Sequence, residues 1–557
     1  MAYHTYGKFL ARKIFKLRPD AVCPSTALQD NHDFVPTGKE ILFGHHFTSI
    51  AGLGPIVGPA IAIIWGWLPA VVWVFFGSIF FGAVHDFGAL VISLRADGRS
   101  IGDLAGEIIN KRVQTLFLLI IFFELWIVIA VFALIMAILF AMYPIAVIPV
   151  WFEPVIAIYL GHLVYKKGKD IFGPSIIAVI VMYATVIIGV YFPIDLTVIL
   201  GMSAKSAMIT WVVVVLVFHA WLASSLPVQT LLQPRDFINS HQLLVAMALL
   251  TLGVIVSHPP IVAPAVNFGA KDAPPIWPFI FVIIACGSIS GFHSLVSSGT
   301  SSKQCDSETS SLLIGYGSML MEGTLSMLVI IAVSAGIGLG LVGNGGETFT
   351  GTAAFNYHYA SWGAAAGLSS KLGAFIHGSA NMIQSYGIPA KIALAIMSVF
   401  IVSFAATTID TATRIQRYVV VELCDVYKFR PLAGRQAATA FAVITAGLLA
   451  FYDGSGKGAL KLWPLFGSVN QLLAGLALLV ITIYLARRKI NIVYTGIPMV
   501  FMVAMTGWAM TLNIQKFYNT SNWLLLTIGL SVFVLQAWMI IESVVVFKAI
   551  YSRDTGF

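Results

Sequence analysis

Two stretches of this chain concentrate the side chains able to hold a solute or exchange a proton. Residues 44–59, GHHFTSIAGLGPIVGP, bring His45, His46 and Ser49 up against Gly52, Gly54, Pro55, Gly58 and Pro59. Residues 286–304, CGSISGFHSLVSSGTSSKQ, set His293 among Ser294, Ser297 and Ser298. The chemistry on offer is binding: imidazoles and hydroxyls donate and accept hydrogen bonds, and a broken helix adds free backbone groups. Catalytic motifs are missing. His45 and His46 are adjacent rather than four apart, so they offer no two-histidine metal face, and no HExxH helix, Walker A loop or nucleophile elbow occurs in a supporting context. Cys23, Cys286, Cys305 and Cys424 are scattered without CxxC spacing, which points to neither a disulfide framework nor a zinc site.

A second set of polar residues falls inside apolar runs. Asp86 (next to His85), Glu124 and Glu322 are candidates to load and release a proton, since carboxyls within a bilayer are costly and usually functional. Asp86 has a structural alternative, anchoring Arg95 or Arg99 of the following loop. Residues 403–414, SFAATTIDTATR, present Ser403, Thr407 and Thr408, whose hydroxyls could cage a sodium ion with the carbonyls of Ile50 and Ala51. The alternative is that these hydroxyls bond their own helix. Asp410 has Arg414 four residues on, a local ion-pair spacing.

These residues need helices to position them. Pro55 and Pro59 each lack an N–H and clash with the carbonyl four back, so a helix through residues 44–66 must loosen near 50–55. Unwound backbone at membrane depth survives only where it is buried in protein or lines a cavity. The chain is 59% hydrophobic and 10% charged over 557 residues, a composition that excludes a soluble domain. It predicts an all-α polytopic membrane protein with about fourteen transmembrane helices, two of them broken. The net charge of +8 fits basic cytoplasmic loops and does not call for nucleic acid. An inside N-terminus puts the 95–112 loop, Lys166, Lys167, Arg235, Arg414 and Arg417 in the cytoplasm, provided that residues 343–387 do not cross. That segment is therefore expected to be an external lid. Residues 1–40 form a basic amphipathic segment on the inner face, residues 41–486 the transport core, and residues 487–557 further C-terminal helices. The first broken span runs in-to-out and the eighth span, near 277–297, out-to-in. Interrupted spans in two inverted halves mark the midplane site of a secondary transporter.

The stretch FGHHFTSIAGLGPIVGP, continuing through GWLP to FGAVHDFGALVISLRADGRSIGDL, resembles the carbon-starvation protein A family of bacterial inner-membrane transporters. SGFHSLVSSGTSSK, TTIDTATRIQRYVVVEL and LWPLFGSVNQLLAGLAL extend the resemblance over residues 41 to 486. It implies uptake of short peptides or pyruvate-like small carboxylates. It also implies a core similar to the amino-acid/polyamine/organocation superfamily, with a five-plus-five inverted repeat. The expected protein is an importer rather than an enzyme, driven by protons or sodium, without a cofactor, with both termini cytoplasmic. A channel and an intramembrane enzyme are the rivals. Channel filters repeat symmetric rings, and none recurs here. An enzyme would use His45 or His293 as base, yet no serine has an Asp–His set spaced to activate it. The substrate is expected between the breaks, its carboxylate held by half-helix N-termini after Gly54 and Gly299.

Overall fold

The computed structural model describes residues 1–343 and 345–554; Asn344, within the expected lid, and the last three residues lie outside the description. The described residues are helical almost throughout, with one two-stranded hairpin among them pairing Leu341 with Phe349 and Val342 with Thr348. The first span is the bent pair α1 (Lys39–Ile50) and α2 (Gly54–Trp65), turned by 43°. Then follow α3 (Trp67–Leu94), α4 (Lys111–Met142), α5 (Pro144–Lys166), α6 (Phe172–Tyr191), α7 (Ala204–Ala223) and α8 (Leu232–Ser257). A second interrupted span comprises α9 (Ile276–Ile283) and α10 (Gly291–Gly299). Beyond it lie α11 (Glu308–Leu339), the shorter α12 (Leu368–Gln384), α13 (Ala390–Tyr427), α14 (Arg435–Phe451), α15 (Trp463–Arg487), α16 (Val493–Asn519) and α17 (Trp523–Asp554).

Eleven described helices are long and apolar enough to cross a bilayer, and twelve spans result when the bent pair counts as one. The expected fourteen differs by two elements. The α9–α10 span is cut into pieces of eight and nine residues, and α14 has 17 residues. Helices α4, α13 and α15 are the most enclosed, whereas α6, α16 and α17 turn most of their surface outward.

The ends of the bundle differ in chemistry. Arg95, Arg18 and Glu308 meet at one end, where Asp33 also bridges Arg414 and Arg417. Arg112 pairs there with Glu542. At the other end Trp67 N–H donates to the Pro264 carbonyl (3.1 Å), and Trp65 packs on Trp362 with ring centroids 5.5 Å apart. Residues 340–343 and 345–389 stay at this second end. Asn381 donates to the carbonyls of Gly336 (3.2 Å) and Gly340 (2.6 Å), at the close of α11, before the chain turns back into α13. The N-terminal residues differ from a segment spread on lipid: Leu10, Ile14 and Phe15 are buried against the bundle, with Phe15 on Phe87 at 4.9 Å.

Candidate functional site

The first break forms as the prolines require. Helix α1 ends at Ile50, where Gly52 N–H turns back onto the Ile50 carbonyl (2.8 Å), and Pro55 sits in the first turn of α2. Pro59 cannot donate to the carbonyl of Pro55, which instead accepts from Ser326 Oγ at 3.1 Å. The second break is closed by side chains from neighbouring helices. Gln471 Nε2 donates to the Phe281 carbonyl (2.7 Å), and Trp73 Nε1 to the Ile284 carbonyl (3.1 Å). Asn470 Oδ1 accepts from Ser290 Oγ and from Phe292 N–H, capping α10. That N-terminus lies at Gly291, so Gly299 closes the half-helix rather than opening one.

The breaks meet across a small gap. A Cβ on Gly54 would collide with Cys286, and one on Gly52 with Thr408 Oγ1. Neither glycine has a left-handed φ, so glycine serves close packing here and not a turn. Above the breaks opens a cavity of about 730 Å³, reaching toward Trp362 and Asp272. Ile50, Gly52, Gly54, Cys286, Phe292 and Thr408 form its inner part.

Most other expected residues lie outside that cavity, and several of them meet in two buried clusters. In the first, His293 Nδ1 is 3.0 Å from Asp86 Oδ2, and His85 Nδ1 is 2.7 Å from Asp86 Oδ1. His293 Nε2 stands 3.4 Å from Glu322 Oε2, while neither Glu322 oxygen makes a hydrogen bond. Cys286, His293 and Glu322 offer donor atoms all within 4.8 Å of one another, a set that could bind a proton or a metal ion. The loop-arginine role for Asp86 is thereby corrected: Arg95 pairs with Glu308, and Arg99 with Asp103 and Glu107.

The second cluster surrounds Arg235, which the charge pattern had placed in a cytoplasmic loop. It is fully buried because α8 begins at Leu232 and carries it inward to carboxylates on three helices. It pairs with Asp410, and stands 3.6 Å from both Asp236 and Glu153. Asp410 therefore does not pair with Arg414, whose guanidinium reaches Asp33 at 2.8 Å. His45 Nδ1 joins the cluster through Asp236 Oδ2 at 2.5 Å.

Hydroxyls expected to face substrate or sodium are mostly turned elsewhere. Ser294 and Ser298 donate to the carbonyls of Gly291 and Ser294, and Thr407 and Thr408 both donate to that of Phe404. Ser403 donates to Glu153 Oε2 at 2.7 Å, on a face about 140° around α13 from Thr408, so the five expected sodium ligands do not converge. Ala51 bonds its own helix through N–H to the Phe47 carbonyl. Ser49 meets Thr411 at 3.3 Å and His46 Nδ1 meets Ser301 at 2.7 Å. Ser297 is buried without a hydrogen-bond partner, as are both oxygens of Glu124, which joins neither cluster. Sequence reasoning missed Glu153, Asp236 and Cys286, and read Asn470 and Gln471 as packing or cavity-lining. Each gains its role from a distant partner.

A many-spanning helical bundle with two interrupted helices around one cavity belongs to the class of membrane transport proteins. A profile of the family described as carbon starvation protein CstA matches residues 1–509, and the chain belongs to that family. It is 32% identical over 561 residues to the peptide transporter CstA of Campylobacter jejuni, covering 93% of this chain and 78% of that protein. It is 31% identical over 579 residues to the pyruvate/proton symporter BtsT of Escherichia coli, covering 92% and 80% respectively. Among solved structures, a manganese transporter of Eremococcus coleocola matches with a TM-score of 0.48 at 12% identity, covering 94% of this chain and 99% of that one.

Proposed function

We propose that this chain is a proton-driven secondary importer of short peptides or pyruvate-like carboxylates, working by alternating access in a bacterial inner membrane. The observation that carries the proposal is the floor of the cavity. Both breaks contribute to it, and its Cys286 abuts the His293–Glu322 pair. A solute resting there would lie against a group whose charge changes with one proton, and that contact is what couples solute to ion. The cavity opens toward the second end, where residues 343–387 are read as the external lid over a core of inverted halves. The opposite end is sealed by the strap at residues 30–37. Asp33 bridges Arg414 and Arg417, Val35 N–H donates to the Lys303 carbonyl (3.1 Å) and Thr37 N–H to that of Gln304 (2.9 Å). On this reading the basic end is cytoplasmic and holds the N-terminus, in keeping with positive-inside loops.

Protons are favoured over sodium because the hydroxyls do not converge on one cage while titratable groups do converge. Uptake of labelled tri-alanine and of pyruvate into proteoliposomes, in sodium-free buffer with an imposed pH gradient, tests the proposal. Accumulation that collapses with a protonophore is expected. Accumulation that requires sodium and ignores the pH gradient would sink proton coupling. Solute flux without counterflow would point to a channel.

A further inference from the structure

Five cations are buried in the described structure, and four have partners. Arg235 faces three carboxylates, Arg414 and Arg417 share Asp33, and Lys303 lies over the Tyr418 ring at 3.6 Å. The fifth is Lys371, in the first turns of α12, only 8% exposed and lining the cavity. Among the described residues no carboxylate comes within ion-pair distance of it, and Asp272, the acidic residue of the cavity wall, is exposed at the mouth. Burial alone pushes the Lys371 amine down to about 8, still on the protonated side at neutral pH. An unpaired buried ammonium is costly, and the molecule elsewhere avoids that cost. The cavity walls are largely apolar and aromatic, with Trp362, Phe279, Phe292 and Trp463, while Lys516, exposed on α16, and Asn513 add polar lining.

We propose that Lys371 anchors the free carboxylate of the transported solute, and that the aromatic remainder of the cavity receives apolar side chains, so that short apolar peptides are the preferred substrates. The inference rests on the transporter reading above and adds to it a residue and a substrate class. A volume of about 730 Å³ suits a solute of peptide size and leaves a three-carbon acid mostly in contact with water. Placement on the lid helix gives the ion pair a second consequence. A carboxylate at Lys371 ties α12 to whatever the floor holds, so binding favours the closed lid.

The test uses the full chain in proteoliposomes, with tri-alanine, tri-alanine C-terminal amide and pyruvate as probes. Affinities are read from competition against labelled tri-alanine, and for the variants from direct binding. The wild type is expected to favour tri-alanine over its amide by roughly ten- to hundredfold, the range of a charge-assisted hydrogen bond. Lys371→Met should bind both as weakly as the wild type binds the amide, with an unfolding temperature no lower than that of the wild type. Lys371→Arg should recover part of the discrimination. Equal affinity of the wild type for acid and amide, or discrimination that survives Lys371→Met, would overturn the anchor while leaving transport intact. Pyruvate binding more tightly than tri-alanine would overturn the substrate class. Failure of the wild type to take up either solute would overturn the proposal together with the reading on which it rests.

Discussion

The Arg235 and His293 clusters occupy equally dry surroundings, yet they are built on different principles. Arg235 carries a charge that no accessible pH removes, and Asp410, Asp236 and Glu153 are arranged around it. Further bonds hold those carboxylates: Ser403 and Asn239 donate to Glu153, and His45 binds Asp236. None of these groups lines the cavity. The His293 cluster has no permanent cation. An imidazole stands between Asp86 and Glu322, whose oxygens make no hydrogen bond, and Cys286 links the pair to the cavity floor. A fixed charge with fixed partners fastens helices α5, α8 and α13 together. A titratable set with spare hydrogen-bonding capacity can change state, and through Cys286 it abuts the cavity floor.

The largest effect that would separate the two belongs to Arg235→Met. It strips the cation from three buried carboxylates, an uncompensated loss of about 3–5 kcal/mol. Little folded protein should be recovered, as judged by size-exclusion chromatography and thermal unfolding. A variant that folds and transports normally would show that the cluster fastens nothing. Glu322→Gln is expected to behave in the opposite way. Its unfolding midpoint should barely move, proton-driven accumulation should be lost, and exchange of labelled for unlabelled solute should continue. Accumulation at the wild-type rate would remove Glu322 from coupling.

Part of this contrast is legible in the sequence, and part is not. The glycines and prolines of residues 52–59 and the serines around His293 announce two breaks, because such residues are expensive in an ordinary spanning helix. His293 and Glu322 stand out for the same reason. Arg235 was misplaced because an arginine beside a proline looks like loop, and only its three partners on α5, α8 and α13 make burial tolerable. Asn470, Gln471 and Cys286 are unremarkable residues in apolar runs whose roles come from distant backbone they cap or touch. Lys371 looked like part of an exposed lid. Its burial follows from the packing of α12 against the bundle, which hydropathy alone does not reveal.

Asp33 shares the fixed-cation design of Arg235 but lies at the rim. Burial works against its carboxylate, yet the His32 imidazole 3.3 Å away and the charges of Arg417 and Arg414 outweigh that and hold it well below the usual range. A depressed folded-state value contributes stability above the unfolded value of about 3.9, and loses it as pH falls toward the folded one. The contribution should therefore be constant from pH 8 to about 5 and decline only in stronger acid. Asp33→Asn is expected to cost about 1–3 kcal/mol in the neutral range and to flatten the acid limb of the unfolding midpoint against pH. An unchanged acid limb would show that the strap owes its stability to its backbone bonds alone.

The most local effect concerns the cavity floor, where a single methyl group is decisive. Gly52 lines the cavity, which invites the view that a solute needs the bare backbone there. The geometry gives a different direction: the nearest atoms to a Cβ on Gly52 all belong to Thr408, starting with Oγ1. Thr408 Oγ1 is itself held by the Phe404 carbonyl at 2.9 Å and cannot swing aside without breaking that bond. Gly52→Ala should thus overpack α1 against α13 and cost about 1–3 kcal/mol, with weaker uptake as a consequence of the shifted floor. Thr408→Ala alone should cost less than about 1 kcal/mol, because the hydroxyl it removes bonds only its own helix. Combined, the two changes should restore most of the lost stability, and the affinity for tri-alanine should return with it. Recovery of stability without affinity would put the solute against Gly52 itself and move the binding site from the aromatic wall down onto the break.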